Sequence, residues 1–160
     1  MHPGHGRERR RIFIPSPRCA DAGLRSRGDD RHGADGLYQR AAAPLRTAYA
    51  LLDAGTTRQG GQAATARLYS GAGELAISVG WLAHDSGRFD DARSHYAEAL
   101  ATARMAGDPA LEAHAFCNTA FLARDAGRPR EAVRAAQAAA RAARLHITRA
   151  LERLHQDARR

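Results

Sequence analysis

Apolar residues recur at helical spacing along most of the chain after residue 36. Over 37–54 they follow a period of about 3.6 residues, which predicts a helix despite the internal Pro44. A glycine-containing segment then interrupts the pattern, and helical spacing returns over 62–86. The pattern therefore predicts a helix plus linker over 37–61 and further helices over 62–157.

Residues 1–36 lack this periodicity. They contain six glycines, three prolines and many arginines. A segment of this composition buries too little apolar surface to offset the loss of chain entropy on folding. We therefore expect a disordered N-terminal arm.

The chain resembles itself at a shift of 40 residues. The sequence WLAHDSGR at 81–88 aligns with FLARDAGR at 121–128, and ALE at 110–112 aligns with ALE at 150–152. A constant offset in separate blocks indicates an internal repeat. We expect two complete units at about 73–105 and 111–145, and the first part of a third unit at 147–157.

Each unit is predicted to run helix, short turn, helix. The turn glycines follow an apolar helical stretch, where a left-handed cap favours a residue without a β-carbon. Small residues elsewhere in the unit allow the paired helices to approach closely. The positions that define the repeat are Gly80, Gly87, Ala92, Tyr96, Ala99, Leu100, Gly127, Ala132 and Ala139.

The size pattern around the first turn resembles the tetratricopeptide repeat. Small residues stand at Gly80, Ala92 and Ala99, with an aromatic at Tyr96 and a large aliphatic at Leu100. The resemblance implies an all-α fold of antiparallel helix pairs, which is a fragment of an α-solenoid. The second unit departs from the pattern by having alanine at both the aromatic and the aliphatic positions.

The longer unit also resembles the C-terminal region of actinobacterial helix-turn-helix transcriptional regulators. The resemblance covers about 62–145 and is carried by GW at 80–81, DSGR at 85–88 and GRPREA at 127–132. In those regulators a DNA-binding domain precedes the repeats, and we find no convincing one in this sequence. The chain is then expected to be a remnant or paralogue of such a regulator, or the product of a truncated gene or a misplaced start.

The resemblance implies that a protein or peptide binds the concave face, which the first helix of each unit lines. Aromatic side chains are frequent anchors of such interfaces, so Trp81 and Phe121 are the main candidates. The alternative is that both rings pack between adjacent repeats. The expected face consists of Glu74, Ile77, Trp81, His84 and Asp85 from one unit, and His114, Cys117, Phe121, Arg124 and Asp125 from the next.

The composition predicts thin helical packing. Leu, Ile, Val and Phe together supply 24 of the 160 residues, whereas alanine supplies 37. Alanine favours helix but buries little area.

One stripe of large side chains, Ile147, Leu151 and Leu154, is expected to lie at an exposed C-terminal repeat edge, so we also expect self-association there.

The net charge of +8 comes entirely from arginine, because the chain has no lysine. Nucleic-acid binding is one explanation, and the codon usage of a GC-rich genome is the favoured one, since the charge is spread over both halves of the chain. A regulator that contacts nucleic acid through Arg-rich surfaces is therefore the alternative function. Possible phosphate contacts are Arg130, Arg134, Arg141 and Arg144, for which a solvated helix face is the favoured explanation.

Candidate chemistry is sparse. The two cysteines, Cys19 and Cys117, have no CxxC spacing, and the eight histidines lack metal-ligand spacing. We find no catalytic constellation, signal-peptide core or membrane-spanning run. The expectation is a cytoplasmic protein without enzymatic activity, metal, cofactor or membrane partner.

Overall fold

The computed structural model describes residues 30–54 and 61–159. Regular structure within these ranges is entirely helical, with five helices and no strands, which confirms the predicted all-α class. The predicted linker falls largely at 55–60, outside the described residues, and so does most of the predicted arm. The helices are α1 (Asp30–Asp53), α2 (Gly61–Asp85), α3 (Phe89–Ala106), α4 (Pro109–Asp125) and α5 (Pro129–Asp157).

Helix α1 begins earlier than the sequence pattern predicts. Residues 30–36 were expected in the disordered arm but form its first two turns. Extending an established helix costs less than starting one, because each added residue gains a hydrogen bond without a new nucleus. The established part is held by Tyr38, Ala42 and Leu45, which are buried in the core, and it continues through Pro44.

The three turns that follow α2, α3 and α4 share one backbone design. Each has a glycine with positive φ, at Gly87 (75°), Gly107 (64°) and Gly127 (70°). The residue after each glycine donates its N–H to the carbonyl five residues earlier, at 2.8 to 2.9 Å. These bonds satisfy carbonyls that the helix end leaves open. The left-handed caps predicted at the two repeat glycines are therefore present.

Alanine supplies half of the buried core cluster. The helices that meet there are joined in chain order, and α2 also contacts α4. Among the predicted repeat positions, Ala92, Tyr96, Ala99 and Ala139 are buried, whereas Leu100 is partly buried against the core. Small side chains at these positions let neighbouring helix backbones approach closely, so the helices pack without many large residues.

Residues 147–157 do not form a separate helix. They continue α5, which is one uninterrupted helix of 29 residues, so the expected third unit is wrong. The 40-residue shift places the turn sequence Gly107-Asp108-Pro109 on Ile147-Thr148-Arg149. Without the glycine and the proline, nothing in the chain ends the helix at this point.

Candidate functional site

The predicted face lies on the second half of α2 and on α4. Two polar contacts join these helices across the surface. Nδ1 of His114 lies 3.5 Å from Oε2 of Glu74, and Nε2 of His84 lies 3.2 Å from Oδ2 of Asp125. The structure therefore brings the two predicted sets of residues together, with one contact near each end of the face.

Two aromatic rings are exposed between these contacts. The side chain of Trp81 is 40% exposed and that of Phe121 is 44% exposed. An exposed tryptophan and phenylalanine on contacting helices form an apolar area that water covers at a free-energy cost. Both rings are therefore available to a partner.

Ile77 and His84 are not available in this way. Ile77 is 2% exposed and belongs to the core cluster, and His84 is 7% exposed, so their predicted place on the binding face is wrong. The outward stripe of α2 runs instead through Glu74, Ser78, Trp81 and Asp85, which are all exposed. This spacing of four, three and four residues follows the helical period.

Ser78 is the residue that the sequence analysis missed on this stripe. Its hydroxyl donates to the carbonyl of Glu74 at 3.0 Å, so the oxygen can still accept a hydrogen bond. The helical period does not distinguish the two positions, because Ser78 and Ile77 lie equally far around the helix, on opposite sides of the line through Glu74 and Trp81.

The buried imidazole of His84 packs against the exposed ring of Trp81. Its ring stacks on Trp81 with centroids 5.5 Å apart and an angle of 17°, and the edge of Phe89 meets it at 5.5 Å. Because a carboxylate only accepts hydrogen bonds, Nε2 of His84 carries the proton shared with Asp125. The imidazole therefore fixes the Trp81 ring and ties α2 to α4.

Charged groups next to Phe121 are paired with one another. Nε of Arg124 donates to Oδ1 of Asp125 at 2.7 Å, and the guanidinium carbon lies 5.1 Å from the centre of the Phe121 ring. The hydrogen bond from Arg124 is the largest cause that holds the pKa of Asp125 below its usual value. On α2, by contrast, partial desolvation of the carboxyl group by neighbouring atoms raises the pKa of Asp85, although its side chain lies at the surface.

The remaining predicted face residue, Cys117, presents a free thiol on the exposed side of α4. Its predicted neighbours, His114 and Arg124, are also exposed on that helix. Eight of the ten predicted face residues are thus accessible, and the other two lie beneath them.

The predicted phosphate contacts occupy a different surface. Arg130, Arg134, Arg141 and Arg144 are exposed on α5, and none forms an ion pair with another described residue. Their acidic neighbour Glu131 is held instead by Arg93 at 3.0 Å and by Arg128 at 3.3 Å. The four guanidinium groups therefore face solvent.

Two further features concern the described part of the chain. Its helices are all too short or too polar to cross a lipid bilayer. Its His, Cys, Asp and Glu side chains nowhere gather in a group of three or more suited to hold a metal ion.

Comparisons of the chain with protein-family models, with curated proteins and with solved structures gave no match.

Proposed function

We propose that this chain is a helical-repeat module that binds a protein or peptide on the face formed by α2 and α4. The observation that carries the proposal is the exposure of Trp81 and Phe121 on two helices joined by side-chain contacts. Aromatic anchors in rigid surroundings contribute much of the binding energy at protein interfaces.

The turns support a repeated architecture of the tetratricopeptide type. Gly87 and Gly127 have the same conformation, and the same hydrogen bonds surround them at an offset of 40 residues. The contacts from Glu74 to His114 and from His84 to Asp125 occur in the same order along α2 and α4. The two helices thus run in the same direction, as the first helices of successive units do in a solenoid of antiparallel pairs.

The Trp81 ring is held in place before any partner arrives. It stacks on His84, which is buried and anchored by Asp125 and Phe89. A side chain that is already ordered loses less conformational entropy on binding, so more of its contact energy appears as affinity. This favours a binding role for the ring over incidental surface exposure.

The chemistry of the face favours a peptide with apolar or aromatic anchors. The charges that flank the rings are paired, Glu74 with His114 and Arg124 with Asp125. Three carboxylates, of Glu74, Asp85 and Asp125, outnumber the one guanidinium of Arg124 on this face, so it disfavours a strongly acidic peptide. Specificity then comes from the fit of apolar side chains around Trp81 and Phe121.

The chain has one tryptophan, so its fluorescence reports on this face directly. Peptides selected from a random displayed library should shift the emission of Trp81 on titration, with saturation at one peptide per face. A library that yields no binding peptide, or only peptides that leave the emission unchanged, contradicts the proposed face.

Self-association through the end of α5 is a second part of the proposal. Ile147, Leu151 and Leu154 are 57%, 51% and 65% exposed, and their spacing places them on one side of the helix. A stripe of large apolar side chains in water is stabilised when another apolar surface covers it. A second copy of the chain presents the same stripe, so the two stripes can cover each other.

Nucleic-acid binding by a transcriptional regulator that uses Arg-rich surfaces is the second candidate function. The observation that favours it is the solvent exposure of Arg130, Arg134, Arg141 and Arg144 on one helix. Phosphate contacts release counterions, so affinity should fall steeply as salt rises. Duplex DNA binding that is absent, or insensitive to salt, would reject this function.

A further inference from the structure

A cleft of about 270 Å³ opens where the start of α2, the turn between α3 and α4, and the C-terminal part of α5 meet. Four cationic or imidazole side chains line it from two separate helices. They are Arg67 from α2, and His146, Arg149 and Arg153 from α5. The cleft thus gathers basic groups that lie nearly 80 residues apart in sequence.

Asp108 is the one carboxylate in the lining, and the fold already uses both of its oxygens. Oδ1 accepts the backbone N–H groups of Ala110 and Leu111 at 3.1 and 3.0 Å, which caps α4. Oδ2 accepts the hydroxyl of Ser70 at 2.9 Å. Three guanidinium groups therefore share the cleft with a single carboxylate, whose negative charge they outnumber three to one.

The basic groups of α5 are directed to the cleft by helical spacing. His146, Arg149 and Arg153 follow one another by three and four residues, which places them on one face. Nη1 of Arg149 donates to the carbonyl of Gly107 at 3.1 Å, so this guanidinium is fixed at the wall with further N–H donors left over. Arg67 and Arg153 form no ion pair with any described residue.

Like charges that converge in this way repel one another, and an anion between them reverses the sign of the interaction. We propose that the cleft binds a phosphate group, as inorganic phosphate or as a phosphate monoester. The planar guanidinium group matches phosphate oxygens with paired hydrogen bonds. The volume lies just below the roughly 300 Å³ at which pockets begin to hold drug-sized ligands, so it suits one compact anion.

This site is separate from the proposed binding face. Arg67 precedes Trp81 by fourteen residues on α2, which is about 21 Å along the helix axis. It also differs from the outward arginines of α5, Arg130, Arg134, Arg141 and Arg144, none of which lines this cleft. A failure at one site therefore leaves the other proposal standing.

Calorimetric titration with inorganic phosphate and with phosphoserine, at constant ionic strength, tests the proposal. We expect saturable binding of one anion, and about tenfold weaker binding for Arg67→Gln and for Arg153→Gln because each removes a charge-assisted contact. The tighter of the two titrants distinguishes a free phosphate from a monoester.

Arg134→Gln is the matched control, since it removes the same charge from an exposed position of α5 outside the cleft. It should bind the anion as the wild type does, and all three variants should keep the wild-type circular dichroism. Equal weakening in the control, or no saturable binding to either titrant by the wild type, overturns the proposal.

Discussion

Gly80 lies directly against the ring of Tyr96. A β-carbon built on Gly80 would stand 2.5 Å from Cε1 and 2.8 Å from Cδ1 of that ring, closer than any stable contact. The second unit has alanine at both equivalent positions, Ala120 and Ala136. In the first unit the large ring of Tyr96 occupies the space that a side chain at Gly80 would need. The second unit has alanine at both positions and lacks this complementary pair.

Gly80→Ala should destabilise the protein by about 1 to 3 kcal/mol, because the added methyl group overpacks the contact between α2 and α3. Chemical denaturation followed by circular dichroism measures the change. Gly71→Ala is the control on the same helix, since a β-carbon there meets nothing within 4 Å. It should stabilise by about 0.5 to 1 kcal/mol through helix propensity. If both variants lose equal stability, the contact with Tyr96 is not the cause.

Tyr96→Phe should leave the stability unchanged or raise it by up to about 1 kcal/mol. The hydroxyl of Tyr96 is buried and has no hydrogen-bond partner among the described residues, so its removal relieves a desolvation cost. The ring that fills the space beside Gly80 is kept. A loss of more than about 1 kcal/mol in the same denaturation measurement would show that the hydroxyl is paired.

The helical fold should lose stability as the pH rises above about 10. Burial is the main cause that raises the pKa of Tyr49 to about 12, and burial also raises the pKa of Tyr38 and of Tyr96. Raised folded-state pKa values mean that the folded chain holds these protons more tightly than the unfolded chain, whose tyrosines titrate near 10. The stabilisation that these tyrosines contribute is complete below pH 10 and is lost as the pH rises through their pKa values in the folded chain.

The absence of lysine makes this alkaline transition easy to assign, because no ammonium group titrates in the same range. Circular dichroism and tyrosinate absorbance should change together. Ionisation of all four tyrosines near pH 10 with the helical signal intact would contradict the burial of the three rings.

Self-association should depend on the exposed stripe of α5. The wild type is expected to sediment faster as its concentration rises, and Leu151→Gln should shift that dependence to higher concentration by removing apolar contact area. Met105→Gln is the control, because Met105 is a 62% exposed side chain that belongs to α3 and not to the stripe. Sedimentation of the wild type that does not change with concentration would reject this interface.

The turns were the most predictable part of the fold. The turns at Gly87 and Gly127 can be predicted from local sequence, because only a residue without a β-carbon adopts positive φ without strain. The continuation of α5 through 147–157 was predicted wrongly, although local sequence also contained the signal for it. The match of ALE at 110–112 and 150–152 suggested another unit, but the residues that end a helix are missing from 147–149.

The sequence pattern identified the helices that form the proposed face, but it did not identify which of their side chains are exposed. Ile77 and Trp81 are neighbours on one turn, and whether each points inward depends on where α3 and α4 pack. His84 shows the same limit, since its burial is set by Trp81, Phe89 and Asp125 from three different helices. The spacing of apolar residues along one helix does not determine how that helix packs against the others.

The affinity of a selected peptide for Trp81→Ala tests the central claim most directly. Trp81 lies on the surface, so its removal should keep the wild-type helical spectrum. Loss of an anchor of this kind costs about 2 kcal/mol or more, which is about thirtyfold in affinity. Met105→Ala should bind as the wild type does. If Trp81→Ala keeps both the helical spectrum and the wild-type affinity, the face formed by α2 and α4 is not where the peptide binds.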